Sequence, residues 1–221
     1  MAQISLDGAG NTGTIHFCVS PSPFHYVTLT VHSQVSADPT AMIILFCLAG
    51  SLIGAQSIAD ETIADFSKGE TVEWLTVNDN VMGGRSIGDF EVGGSTLNFK
   101  GRTNTNGGGF SSIRASAQSL NLEGTTGFRL KLKGDGRKYT FRLRKRNSWV
   151  SYWSEFDTDD NKWQTVELKL EDFWPNWRGR KVYAPKIKGN QIGELGIMIY
   201  DGKDGAFSLD VASIVAYRER T

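Results

Sequence analysis

From Val72 onward the chain is a succession of short stretches in which apolar and polar residues alternate, each closed by a cluster of Gly, Asn or Asp. A period of two puts the apolar side chains on one face of a strand, and no stretch here carries the 3.6-residue period of an amphipathic helix. The predicted strands are 72–76, 87–92, 95–100, 109–115, 127–133, 137–146, 150–157, 162–170, 191–200 and 206–217. Strands that each bury one face need a second sheet to cover them. The expected fold is therefore all-β, a two-sheet β-sandwich. Residues 171–189 break the rhythm and read as a long loop carrying Arg178, Arg180, Lys181, Lys186 and Lys188.

One hairpin is expected in detail. The strictly alternating run Gly127 to Lys133 leads into Gly134-Asp135-Gly136, and Asp135-Gly136 predicts a two-residue type I′ turn. Closing there sets Leu132 opposite Tyr139, Leu130 opposite Phe141 and Phe128 opposite Leu143. The other face becomes cationic, with Lys133 against Lys138, Arg129 against Arg142, and Lys131 and Arg144 beside them. Opposed like charges are unfavourable. Either acids on adjacent strands (Glu155, Asp157, Glu167) neutralise this stripe, or an acidic protein surface or anionic headgroups do.

The halves of the chain differ in kind. The first 65 residues contain no Lys or Arg and five acids, which leaves 24 bases against 19 acids from Phe66 on, a net of +5. All three His and both Cys precede Phe66, whereas all six Trp follow it. The later region thus cannot supply a Ser-His-Asp triad, a Cys-His pair or a Cys/His zinc site. The chain as a whole is neutral, which argues against nucleic acid as a partner. Residues 1–41 show no sustained period and read as a disordered or over-extended segment. Residues 42–59 open with fourteen residues free of charge, Met42 to Ala55, which suits a signal-peptide core better than a membrane span of about 20 residues. If Met42 is the initiator, a mature chain begins between Gln56 and Asp60. N-terminal sequencing of native protein tests this, and recovery of peptides from residues 1–41 would defeat it.

Several motifs then appear in order: Trp74-Leu-Thr-Val-Asn-Asp-Asn-Val-Met-Gly-Gly-Arg-Ser86, Gly107-Gly-Gly-Phe-Ser-Ser-Ile-Arg114 and Gly134-Asp-Gly-Arg-Lys-Tyr139. Trp163-Gln-Thr-Val-Glu-Leu168, Asp172-Phe173, Arg178-Gly-Arg180 and Gly205-Ala-Phe-Ser-Leu-Asp210 follow. The series resembles the complex I intermediate-associated protein 30 family over roughly residues 65–217. The resemblance implies a galactose-binding-like jelly roll and a non-enzymatic role as an assembly factor or chaperone for NADH:ubiquinone oxidoreductase or another membrane protein complex. It implies a protein partner, such as a respiratory-complex assembly intermediate, with peripheral membrane contact, and a mitochondrial or membrane-associated setting. The signal-like segment points instead to export. The alternative function is an exported carbohydrate-binding domain.

The residues nominated for a ligand or partner surface are Asn78, Asp79, Met82, Arg114, Arg137 and Trp163, on loops expected to share one end of the sandwich. Asp79→Asn is expected to impair binding more than stability. The Asn78–Gly84 stretch has the oxygen donors of a ligand or Ca²⁺ loop, but Asx side chains bonding their own backbone explain it as well. Asp157 to Asn161 reads as a solvated turn. No catalytic residue, metal or cofactor is assigned. Trp149, Trp153 and Trp163 with Tyr152 could stack on a sugar, yet alternation puts Trp153 and Tyr152 on opposite faces, and strand aromatics usually belong to the core.

Overall fold

The computed structural model describes residues 59–219 together with two short strands, β1 (Gln3–Ile4) and β2 (Ile15–His16), which pair antiparallel. Apart from these strands and Ala59, the expectations for residues 1–41 and 42–59 lie outside the described residues. No helix among the described residues is long and apolar enough to cross a membrane. The chain separates into units Met1–Gln56 and Ser57–Thr221, the second being the sandwich.

Its strands, numbered on in chain order, are β3 (Glu61–Asp65), β4 (Glu70–Thr71), β5 (Trp74–Asn78), β6 (Ile87–Gly93), β7 (Thr96–Thr103), β8 (Ser111–Ser116), β9 (Gly127–Lys133), β10 (Lys138–Lys145), β11 (Ser151–Asp157), β12 (Trp163–Lys169), β13 (Trp174–Trp177), β14 (Arg180–Lys181), β15 (Ile192–Ile199) and β16 (Gly205–Tyr217). A front sheet has the order β14-β13-β11-β10-β15-β8-β5. A back sheet runs β12-β9-β16-β3-β4, with β7 also on β16 and β6 on β7. All ten predicted strands are present, within a few residues at their ends. The reading of 171–189 as a loop is corrected, because this segment contains the β13–β14 pair. Its Pro175 sits where an edge region tolerates the loss of a donor.

The predicted hairpin does not form. β9 pairs with β12 and β16 in the back sheet, whereas β10 pairs with β11 and β15 in the front sheet. Gly134-Asp135-Gly136 is a corner between sheets, and only Gly136 of the Asp-Gly pair takes positive φ, at 77°. The Asp135 carboxylate fixes the corner by accepting from the Ser208 amide (2.8 Å), the Arg137 amide (3.1 Å) and the Tyr139 hydroxyl (3.2 Å). The faces follow the alternation all the same, since Phe128, Leu130, Leu132, Tyr139, Phe141 and Leu143 are all fully buried. They meet across the core instead of side by side, with Phe128 and Phe141 ring centroids 5.1 Å apart and Phe173 closing the cluster. Each such side chain contributes roughly 1.5–3 kcal/mol on burial.

The single cationic face is corrected with it. Arg129, Lys131 and Lys133 project from the back sheet, and Lys138, Arg142 and Arg144 from the front sheet. Acids on neighbouring strands meet five of the six: Glu167 for Arg129, Asp210 for Lys133, Glu155 and Asp157 for Lys138, and Glu194 for both Arg142 and Arg144. Lys131 lies between Thr165 and Ser213.

Candidate functional site

The register puts Asn78, Asp79, Met82, Arg137 and Trp163 at one end of the sandwich, where β5, β9, β11 and β15 finish and β8, β10 and β12 begin. Arg114 lies apart, on the fourth residue of β8.

Asp79 opens a short 3-10 helix (Asp79–Met82) and is completely buried. Its carboxylate accepts from the Ser86 hydroxyl (2.6 Å) and amide (2.8 Å) and from the amides of Gly109 (2.6 Å) and Phe110 (3.3 Å). Burial works to raise its pKa, but these four donors outweigh burial and hold it below the usual carboxylate value. Glycine is required on both flanks, since a Cβ on Gly84 or Gly108 would lie 2.2 or 2.5 Å from Asp79 atoms. Asn78 exchanges two hydrogen bonds with the Gly88 backbone, 3.0 and 3.1 Å. The 78–84 stretch is thus a knot whose oxygens face inward. Its tip, Asn80 to Gly83, is open, Met82 being 61% exposed, and Asn80 and Val81 line a groove of about 440 Å³ between β5 and β6.

Arg137 is a second clamp. It donates from Nε and Nη2 to the two carboxylate oxygens of Asp201 (3.0 and 2.6 Å), and reaches the carbonyls of Lys203, Gly205 and Ala206 and the Thr103 hydroxyl. Burial pulls the Asp201 pKa up, but the Arg137 hydrogen bond and the Lys203 amide pull it further down. Burial opposes the Arg137 charge as well, yet the bond to Asp201 leaves its pKa raised. The Asp157–Asn161 turn is tied to the same clamp, through Thr158 Oγ1 donating to the Arg137 carbonyl (2.8 Å). Trp163 is on the outer back face with Lys133 Nζ 5.7 Å above its ring. The six nominees therefore do not form one surface: Asn78, Asp79 and Arg137 build the frame, while Met82, Trp163 and Arg114 point to three different places.

The outer front face was not foreseen as a unit. Cross-strand partners place Trp174, Trp153, Arg142, Gly196, Arg114 and Leu75 in one row across β13, β11, β10, β15, β8 and β5. Beside it Glu194 accepts from Arg142 (2.9 Å) and Arg144 (2.7 Å), so two of the three arginines on this face share one acid. Arg114 donates from Nε to Ser112 Oγ (3.0 Å) and forms no salt bridge among the described residues. Burial first, then the neighbouring Arg142 and Arg144 charges against that of Glu194, push its pKa down to about 10. Leu75 is 54% exposed at the end of the row. Periodicity offered one clue, the outward parity of Arg114, Arg142 and Leu75. The strand order that joins them was not in it.

The aromatic side chains are mostly occupied. Tyr152 lies in the core and donates to the Pro185 carbonyl (2.8 Å). Trp153, 8% exposed, packs at 61° to Trp174 and at 82° to Tyr200 and donates to Ser151. Lys181 lies over Trp174 and Arg178 over Trp177. Trp149 is open to solvent. No group of three or more His, Cys, Asp or Glu side chains gathers for a metal among the described residues.

A family model described as complex I intermediate-associated protein 30 matches residues 64–211, more than half the chain. No curated protein matches the chain. Among solved structures it is similar to the family 11 carbohydrate-binding module of the cellulosomal cellulase Lic26A-Cel5E of Clostridium thermocellum, with 13% identity and a TM-score of 0.51 over 74% of this chain and 99% of that one. A family 11 module from the same organism, in complex with a β-1,3-1,4-mixed-linked tetrasaccharide, gives 13% identity and a TM-score of 0.50 over 75% and 100%. PfGH50B gives 14% and 0.51, over 74% of this chain but 24% of that one. At such identities the likeness is one of fold.

Proposed function

Because the chain belongs to the complex I intermediate-associated protein 30 family, we propose that it is a non-catalytic binding module that holds a protein partner against the outer front face. The role is that of an assembly factor for NADH:ubiquinone oxidoreductase or another membrane protein complex. The observation that carries this reading is the row Arg142-Gly196-Arg114-Leu75, where charge in excess of its acid partner adjoins an exposed leucine. Arginine beside apolar surface is the composition of protein-binding hot spots. The carboxylates that could have served hydrolysis are spent on the frame: Asp79 on Ser86 and two amides, Asp135 on the sheet corner. The compartment depends on residues 42–59, exported if they are cleaved and mitochondrial or membrane-associated otherwise.

A carbohydrate ligand is the second reading, favoured by the family 11 fold likeness and by the open ring of Trp149. It is weakened by Trp153 lying edge-on to its neighbours and by the cations covering Trp163, Trp174 and Trp177, because a sugar stacks on an open ring face. A photo-crosslinker at Leu75 on the front face, and at Thr165 on the back face as control, separates the two. Expected are adducts in native membranes from Leu75 only, on subunits of one membrane complex. Equal adducts from both positions, or micromolar sugar binding on a glycan array with no Leu75 adduct, would sink the proposal.

A further inference from the structure

We propose that Arg114 and Arg142 form a receptor for a carboxylate seated over Gly196, and that the carboxylate comes from an acidic segment of the partner protein. This deepens the docking reading of the front face and rests on it.

The two arginines stand on β8 and β10, on either side of β15, with Gly196 directly between them in the register. At a strand spacing of about 4.8 Å their Cα atoms are roughly 10 Å apart, a span that two arginine side chains leaning inward close around one anion. Gly196 keeps that lane free of a side chain. A Cβ there would fall 2.2 Å from the Ile113 carbonyl oxygen, so no larger residue fits. The floor of the lane is backbone, with Arg142 reaching from one side toward Glu194 and Arg114 from the other toward Ser112.

The charge on this face is incomplete. Glu194 offers two oxygens, and both are taken: one by Arg142 Nη1 and one by Arg144 Nη2. Arg114 spends only Nε, on Ser112. Its Nη1 and Nη2, like Nε and Nη2 of Arg142, have no acceptor among the described residues. Arg142 is also 7% exposed, so part of this surplus charge is held away from water. Partly desolvated like charges destabilise a folded chain unless something answers them. A second acid on β8 or β15 would have cancelled the surplus. Ser112, Ser116 and Met198 occupy the outward positions nearest the row instead.

Planar guanidinium forks match a planar carboxylate with two parallel hydrogen bonds. The ends of the row favour a peptide as its source. Leu75, beside Arg114, gives an apolar neighbour of the acid a place to pack, and Trp153, beside Arg142, is already edge-packed and hydrogen-bonded and so offers a sugar ring no face.

The test is fluorescence anisotropy with the full chain and a labelled (Glu-Ala)6 peptide. Its (Gln-Ala)6 counterpart, a galacturonate oligomer and inorganic phosphate serve as competitors. The Glu peptide is expected to bind and to weaken as salt rises. Arg114→Gln should weaken it at least about tenfold, and Arg114→Lys by less, since charge is kept but the fork is lost. The melting temperature of Arg114→Gln should stay level or rise, because removing an unanswered cation relieves repulsion. Equal binding of the Gln peptide, tighter binding of galacturonate or phosphate, no effect of Arg114→Gln, or a fall in its melting temperature that tracks the binding loss would each overturn the proposal. If Leu75 crosslinks persist while the Glu peptide fails to bind, the docking face stands and the carboxylate receptor alone is wrong.

Discussion

Asp79→Ala is expected to destabilise the sandwich by on the order of 3–4 kcal/mol, or roughly 10 °C in Tm, with little direct effect on binding. The substitution leaves the Ser86 hydroxyl and three amides facing a void that no water-exposed group can fill. Asp79→Asn keeps one acceptor and should cost about 2 kcal/mol. This reverses the expectation drawn from sequence, that such a swap would act on binding first. The carboxylate also sets a direction with pH. Asp79 and Asp201 both titrate lower folded than unfolded, where the ordinary value is 3.8. Their contribution is therefore complete above that value and is lost as pH falls through the folded pKa values. Urea unfolding of wild type and Asp79→Asn between pH 7 and pH 2 checks both points. The variant should lose less stability on the acid side, and parallel curves would remove Asp79 from the account.

Arg137→Ala should be of similar size, about 3–5 kcal/mol, because it strands the buried Asp201 carboxylate and frees three carbonyls together. Arg137→Lys restores a charge without the fork and should recover only part of the loss. Denaturant titration of both variants measures this. A cost below about 1 kcal/mol for the alanine variant would mean that the loops at this end are held by other contacts.

Short alternating segments specified the strands and the face each buries, and Phe128, Leu130, Phe141 and Leu143 are where that pattern put them. Strand partners are a different kind of information. An Asp-Gly between two alternating runs serves a tight hairpin or an arch between sheets equally well, because both turn the apolar faces toward one core. The arch is set by partners far away in sequence, β12 and β16 for β9 and β11 and β15 for β10, with the Ser208 amide of β16 meeting Asp135 at the corner. The front-face row was illegible for the same reason: Leu75, Arg114, Arg142 and Trp153 are neighbours only through the order β5-β8-β15-β10-β11. Asp79 was noticed for its motif, but an Asx-rich loop does not tell from its letters whether its oxygens turn toward solvent or toward its own amides.

The position of β16 has a consequence for how the chain is made. This last strand lies at the centre of the back sheet, hydrogen-bonded to β9 along one edge and to β7 and then β3 along the other. On the ribosome, β3, β7 and β9 emerge long before the strand that joins them, and all three wait with open edges and an uncovered apolar face. Sheets closed by distant pairings fold slowly and are prone to aggregate while incomplete. The acidic turn at Asp157–Asp160 and the lysines at Lys131 and Lys133 stand at strand ends and outward positions in that interval, where charge discourages the edge-to-edge association of unfinished sheets.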